Sequence, residues 1–89
     1  MSEQENKRRL EELWRQKVIA AERAYLVALN QLQKIRDEYK FMPTSDGSFA
    51  LQQALKSEGL ARDEYTRVLQ TFTRLILHGE EPPADSNPT

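Results

Sequence analysis

The sequence contains one histidine, His78, and it is the first residue to consider for acid–base chemistry. A catalytic histidine needs a nucleophile or an orienting carboxylate held in a fixed geometry. The nearest carboxylates, Glu80 and Glu81, belong to a polar C-terminal segment, and His78 itself is predicted in the last turn of a helix, where a cation complements the helix dipole. The chain also has no cysteine and no glycine-rich phosphate loop. We therefore expect it not to be an enzyme.

Glutamates are the next candidates, because helix bundles can hold metal pairs between facing carboxylates. The motif for such sites is Glu-x-x-His, but Leu75 stands three residues before His78. Three glutamates could still gather in a dimer, without a histidine at their level: Glu22, Glu58 and Glu64. We expect no cofactor and no metal. A small-molecule- or metal-binding helical bundle that uses Glu58, Arg62 and the tyrosines remains the alternative.

Basic residues are concentrated near the N-terminus, at 7–9, Arg15 and Lys17. Acidic residues flank this cluster closely, and the whole chain carries a net charge of −1. Such a pattern is typical of a solvent-exposed helix face with ion pairs rather than of a phosphate-binding patch. We do not expect nucleic acid as a partner.

These residues must be positioned by helices, because the sequence has only two strong breaks. Pro43 with Asp46-Gly47 marks the first, and Gly79 followed by Pro82 marks the second. We predict an all-α fold, an antiparallel two-helix hairpin over residues 1–79. Its parts are a helix over about 3–41, a turn at 42–47, a helix over about 48–78 and a flexible tail at 80–89. Ser2 is the expected N-cap of the first helix, and Asp46 or Ser48 that of the second.

Apolar residues in the first helix recur at alternating steps of four and three, the repeat of a coiled-coil seam. They are Trp14, Val18, Ala21, Tyr25, Ala28, Leu32, Ile35, Tyr39 and Met42. The matching stripe of the second helix is Leu51, Ala54, Ala61, Tyr65, Val68, Leu69, Phe72, Leu75 and Ile76. A tight turn then places residue i near residue 89 − i. This rule sets Trp14 opposite Leu75 and Ile76, and Ala21, Ala24 and Ala28 opposite the bulky residues around Val68.

Glu58 interrupts the second stripe. The pairing rule places it near Gln31 and Lys34 of the first helix, and Arg62 lies one turn further along its own helix. We interpret Glu58, Arg62, Gln31 and Lys34 as a polar layer in the seam that fixes the register of the helices.

Two helices enclose little interior, and the first helix carries apolar residues on more than one side. We therefore predict a homodimer in which two hairpins form a four-helix bundle, in parallel, antiparallel or swapped arrangement. The expected oligomer interface consists of Trp14, Val18, Ile19, Tyr25, Leu26, Leu60 and Leu77.

No apolar run approaches the ~20 residues of a membrane span, and the N-terminus lacks the apolar region of a signal peptide. Because the sequence starts at Met1, we expect a complete cytoplasmic protein that does not enter membranes. The function predicted is that of a non-enzymatic, adaptor-type interaction protein that acts as a homo-oligomer and binds another protein through its remaining apolar surface.

Overall fold

A computed structural model describes residues 2–82 of the chain. It contains two long helices, α1 (Glu3–Phe41) and α2 (Ser45–His78), packed side by side as an antiparallel hairpin 60 Å long and about 20 Å wide. No strand occurs within residues 2–82. The predicted all-α hairpin is therefore confirmed.

Helix α1 begins and ends where the sequence places its boundaries. The Ser2 hydroxyl accepts a hydrogen bond from the Glu5 amide at 3.2 Å, and the acidic residues of the first turn complement the helix dipole. At the other end the Met42 amide donates to the Glu38 carbonyl at 2.9 Å. Pro43 then disfavours helical geometry at Met42, so α1 stops there.

Helix α2 begins earlier than predicted, and the turn is shorter. The prediction of a turn at 42–47, with Asp46 or Ser48 as the cap, is wrong because Thr44 is the N-cap: its hydroxyl accepts from the Gly47 amide at 2.9 Å. Asp46 lies in the first helical turn, where its charge favours the helix dipole. Only residues 42–44 connect the helices.

The end of α2 is fixed by Gly79, whose φ of 67° lies in the left-handed region that glycine adopts without strain. Its amide donates to the Leu75 carbonyl, and the Glu80 amide donates to the Arg74 carbonyl. Pro82 is half-buried. The tail predicted to be flexible thus begins with residues held against the last turn of α2, and its remainder, 83–89, lies outside the described residues.

The core is a narrow seam between the helices. Trp14, Ala21, Val68 and Leu75 form one buried cluster, with exposed fractions between 2% and 9%. The cluster contains residues that the pairing rule places across the seam from each other, Trp14 with Leu75 and Ala21 with Val68. Three predicted members of the stripes are exposed: Met42 (65%), Leu69 (39%) and Ile76 (42%). Ala24, predicted to lie opposite the bulky residues around Val68, is exposed as well.

Candidate functional site

The hairpin has two broad faces that flank the seam. In heptad notation the seam residues take positions a and d, and residues at e lie beside them on one face, those at g on the other. Because the helices are antiparallel, the e sides of both helices share one face. We call it the Ile19 face; it comprises Leu29, Leu55, Leu69 and Ile76 at e, with Ile19 and Leu26 at the adjoining b positions.

Side chains of the Ile19 face are partly covered by the seam and partly open. Leu26, Leu55, Leu69 and Ile76 are between 39% and 48% exposed, while Ile19 and Leu29 are half-buried. The pairing rule sets Ile19 level with Leu69, whereas charged residues of the same face, among them Glu22, Arg36 and Arg62, stand between the other apolar side chains. Large exposed apolar patches are common at protein interaction surfaces.

The opposite face, here the Leu60 face, also combines apolar and charged side chains. Its apolar residues are Leu13, Val27 and Leu60, exposed by 52%, 56% and 63%. Between them stand the basic side chains Lys17, Lys34, Arg67 and Arg74. Only the Arg67 guanidinium in this set forms an ion pair within the part of the chain that the structure describes, at 2.6 Å from the Glu64 carboxylate.

The predicted interface residues fall in different places. Trp14 is only 3% exposed, so helix α2 already covers it and it can add little area to a second interface. Val18 and Tyr25 are half-buried seam residues at position a. Ile19 and Leu26 lie on the Ile19 face. The heptad register puts Leu60 on the other face and Leu77, 69% exposed, on the outer side of α2.

The predicted polar layer forms only in part. Glu58 is 8% exposed, and its carboxylate lies 3.6 Å from the Arg62 guanidinium. Gln31 and Lys34 are exposed, and neither forms a hydrogen bond or ion pair with Glu58 in the described region. The heptad register explains this difference, because Gln31 and Lys34 occupy g and c on the Leu60 face, whereas Arg62 occupies e beside the Ile19 face.

A tyrosine pair joins the helices beside the Ile19 face. The rings of Tyr25 and Tyr65 are stacked, with centroids 6.0 Å apart and an angle of 18° between their planes. The Tyr65 hydroxyl donates a hydrogen bond to the Glu22 carboxylate at 3.3 Å. Desolvation of the phenol, together with the charge of Glu22 and this hydrogen bond, raises the pKa of Tyr65 above its usual value of 10.0.

Gly59 is a residue whose role within a single chain is not evident. It lies in the middle of α2, at the outer edge of the Ile19 face between Leu55 and Arg62. A Cβ atom built there would meet only the Arg62 guanidinium, at 3.8 Å. Glycine in a helix interior costs about 1 kcal/mol relative to alanine, and no contact within the hairpin requires it. Gly47 differs, because a Cβ there would come 3.1 Å from the Tyr39 ring.

The basic cluster near the N-terminus is a solvent-exposed face, as its flanking acids indicate. Residues 7–9 are exposed, and the Arg15 guanidinium lies 3.6 Å from the Glu12 carboxylate. The Lys17 ammonium lies 5.1 Å from the centre of the Trp14 ring, a cation–π contact that the sequence did not indicate.

Titratable side chains of the kinds that hold metals or catalyse reactions are dispersed. Within residues 2–82, no three His, Asp or Glu side chains come close enough together to hold a metal ion. His78 is exposed in the last turn of α2. The described residues therefore add no structural support to the alternative of a small-molecule- or metal-binding helical bundle, which rests on the sequence pattern alone.

Apolar residues at the turn end form a further exposed group, of which the sequence singled out only Met42, as a predicted member of the seam. Phe41, Met42 and Phe49 are exposed by 88%, 65% and 63%. In the sequence, aromatic residues stand on either side of the Pro43 break. The pattern of a single sequence, however, does not distinguish an exposed aromatic residue from one in the core.

The fold and its faces define a class, the long antiparallel α-helical hairpin with partly exposed apolar side chains beside its seam. Neither α1 nor α2 has an apolar stretch of the length needed to cross a membrane. Comparisons with protein-family models, curated proteins and solved structures found no significant match.

Proposed function

We propose that this chain is a non-enzymatic interaction protein of the adaptor type that acts as a homo-oligomer, with two hairpins packed as a four-helix bundle. The observation that carries the proposal is the balance between covered and uncovered apolar side chains. Among the described residues, eleven large hydrophobic side chains are exposed, whereas six apolar residues, two of them alanines, form the buried core. A core this thin gives a small domain little stability of its own.

Association of two hairpins would remove much of this surface from water. Helix pairs of this length pack stably when a second pair covers one of their faces, which is the arrangement of four-helix bundles. The exposed turn end, with Phe41, Met42 and Phe49, would remain open in such a bundle. It is the surface that we propose for contact with another protein. In this proposal the protein works in the cytoplasm, since a sequence without cysteine suits a reducing compartment.

The proposal is tested by the dependence of stability on concentration. If the native state is a dimer, mass action makes Tm rise with protein concentration. We expect Tm to increase steadily over a hundredfold concentration range, and light scattering after size exclusion to give twice the chain mass of 10.4 kDa. A Tm independent of concentration, together with a monomer mass, would contradict the proposal.

A further inference from the structure

We propose that the half of the Ile19 face nearest the turn binds an acidic amphipathic helix of another protein. We call this surface the Leu55 patch; it comprises three leucines and three basic residues, Leu26, Leu29, Leu55, Arg36, Lys40 and Arg62. The inference rests on the proposed function in that the chain acts by binding another protein. It goes further by naming the chemistry of that protein, and it requires only one hairpin.

The Leu55 patch concentrates positive charge in a chain whose net charge is −1. Over residues 23–66, the e and b positions of the Ile19 face hold three basic residues and no acidic one. The g and c positions of the Leu60 face in the same range hold one basic residue and three acidic ones: Lys34, Glu38, Asp46 and Glu64. The outer f positions hold two of each sign: Arg23, Lys56, Asp37 and Asp63. This asymmetry favours an acidic partner on the Leu55 patch.

The three cations of the patch are accessible to a partner. Arg36 and Lys40 are exposed, and neither forms an ion pair among residues 2–82. The Arg62 guanidinium lies 3.6 Å from the Glu58 carboxylate, but the Arg62 side chain is 57% exposed. Glu58 itself is only 8% exposed, because it lies in the seam. The surface of the patch therefore presents the guanidinium rather than the carboxylate of this pair.

The leucines of the patch are spaced for a helix. Leu26 and Leu55 are 48% and 45% exposed, and Leu29 is half-buried. The pairing rule sets Leu55 level with position 34, so the three leucines extend over about 12 Å along the rod. A helix presents apolar side chains over this span at i, i+4 and i+7 or i+8.

The cations stand at the two ends of this apolar row. By the pairing rule Arg62 is level with position 27, beside Leu26, whereas Arg36 and Lys40 lie beyond the level of Leu55 towards the turn. A helix with one apolar stripe and carboxylates at both ends of that stripe is therefore the complement of the patch.

Other partners satisfy only part of this surface. A second copy with the same face would bring like charges together. A nucleic acid would pair its phosphates with the cations but would offer its backbone no apolar complement to Leu26 and Leu55. An anionic membrane would take up the leucines only by desolvating Gln33 and Gln52, which are exposed at b positions of the same face. An acidic amphipathic helix meets both the charges and the leucines.

The test measures binding of the full chain to a fluorescently labelled synthetic peptide by anisotropy. The probe is an amphipathic helical peptide of leucine, alanine and glutamate, and its counterpart carries lysine in place of glutamate. We expect the chain to bind the glutamate peptide, with an affinity that falls as salt is added, and to bind the lysine peptide at least about tenfold more weakly. The double change Arg36→Gln/Lys40→Gln should weaken binding of the glutamate peptide by about threefold to tenfold, because it removes two of the three cations.

Two further variants separate the patch from general charge. The matched control Lys34→Gln/Lys56→Gln removes the same charge at exposed positions outside the patch and should leave the affinity unchanged. Leu26→Gln/Leu55→Gln keeps every charge and should weaken binding by about tenfold or more, because it removes the apolar complement. Circular dichroism checks that each variant remains helical. The charge variants decide the matter even if the leucine variant unfolds, since they alter only exposed side chains.

Equal affinity for the two peptides would overturn the inference, and so would equal losses in Arg36→Gln/Lys40→Gln and its control. Saturable binding to single-stranded DNA or to vesicles of phosphatidylcholine and phosphatidylserine, without binding to the glutamate peptide, would overturn it as well. These outcomes leave the proposed homo-oligomer intact, because the patch belongs to one hairpin. A monomeric chain that binds the glutamate peptide with the expected losses would instead support this inference and contradict the homo-oligomer.

Discussion

At the scale of single residues, the contrast between Leu75 and Leu77 shows how sharply the seam divides α2. Leu75 is 2% exposed and belongs to the core cluster, whereas Leu77 is 69% exposed. Loss of a buried leucine side chain removes its transfer free energy and leaves a cavity. We expect Leu75→Ala to lower the free energy of unfolding by about 2–5 kcal/mol.

The matched change Leu77→Ala removes the same atoms from an exposed position and should alter the free energy of unfolding by no more than about 0.5 kcal/mol. Urea titrations of both variants at one protein concentration make the comparison. Equal losses for the two would show that Leu77 is covered by something other than its own chain.

Tyr65 is the residue whose ionisation should affect stability. Its pKa in the folded chain is raised by desolvation and by Glu22, while in the unfolded chain it returns to about 10.0. The folded state therefore holds this proton more tightly than the unfolded state does. The stabilising contribution is complete below pH 10 and is lost as the pH rises through the folded pKa.

We expect Tyr65→Phe to reduce the decline of Tm above pH 10, because the variant has no phenol to ionise beside Glu22. Tyr39→Phe is the control, since Tyr39 forms no hydrogen bond among the described residues, and its alkaline decline should match that of the wild type. Thermal unfolding from pH 8 to pH 11 gives the answer. An identical alkaline decline in Tyr65→Phe and wild type would rule out this role for Tyr65.

At the scale of elements, the ends of each helix depend on which side chain caps it, and a sequence pattern can offer more than one candidate cap. Asp46-Gly47 is typical of a turn, but aspartate and glycine are also acceptable in the first turn of a helix. The hydroxyl of Thr44 decides between these, because it accepts the Gly47 amide and allows α2 to begin at Ser45. Ser2 offered no such competition, so the start of α1 was predictable.

Removal of the Thr44 cap should therefore cause a measurable loss of stability. Thr44→Ala leaves the Gly47 amide without its partner and should lower the free energy of unfolding by about 1 kcal/mol. Thr44→Ser keeps the hydroxyl and should stay close to the wild type. Chemical denaturation followed by circular dichroism measures both, and an unchanged Thr44→Ala would show that the hydroxyl contributes nothing to α2.

The seam was largely predictable, and the faces beside it were not. Alternating steps of four and three locate positions a and d, and a short turn sets which residues stand opposite one another. Leu69 and Ile76 sit at e, next to the seam, and an apolar residue there satisfies the stripe equally well whether it packs inside the hairpin or outside it. Only the three-dimensional structure separates the two cases, by showing these side chains 39% and 42% exposed.

At the scale of the whole molecule, a rod of two helices explains both what the sequence predicts and where prediction stops. Local periodicity and one sharp turn suffice for a hairpin, so fold class and pairing follow from the sequence. A partner surface is different, because its complement lies in another molecule. The open surroundings of Gly59 inside the hairpin, likewise, become apparent only from the structure.

The position of Trp14 also bears on the order in which the molecule assembles. Trp14 lies near the open end of the hairpin, in one core cluster with Leu75, so this contact closes a far longer loop of chain than any contact near the turn. Loop closure becomes more costly as the loop lengthens, which favours zipping from the turn outward. The surroundings of this single tryptophan change when it becomes buried, so its fluorescence should report the last step of folding.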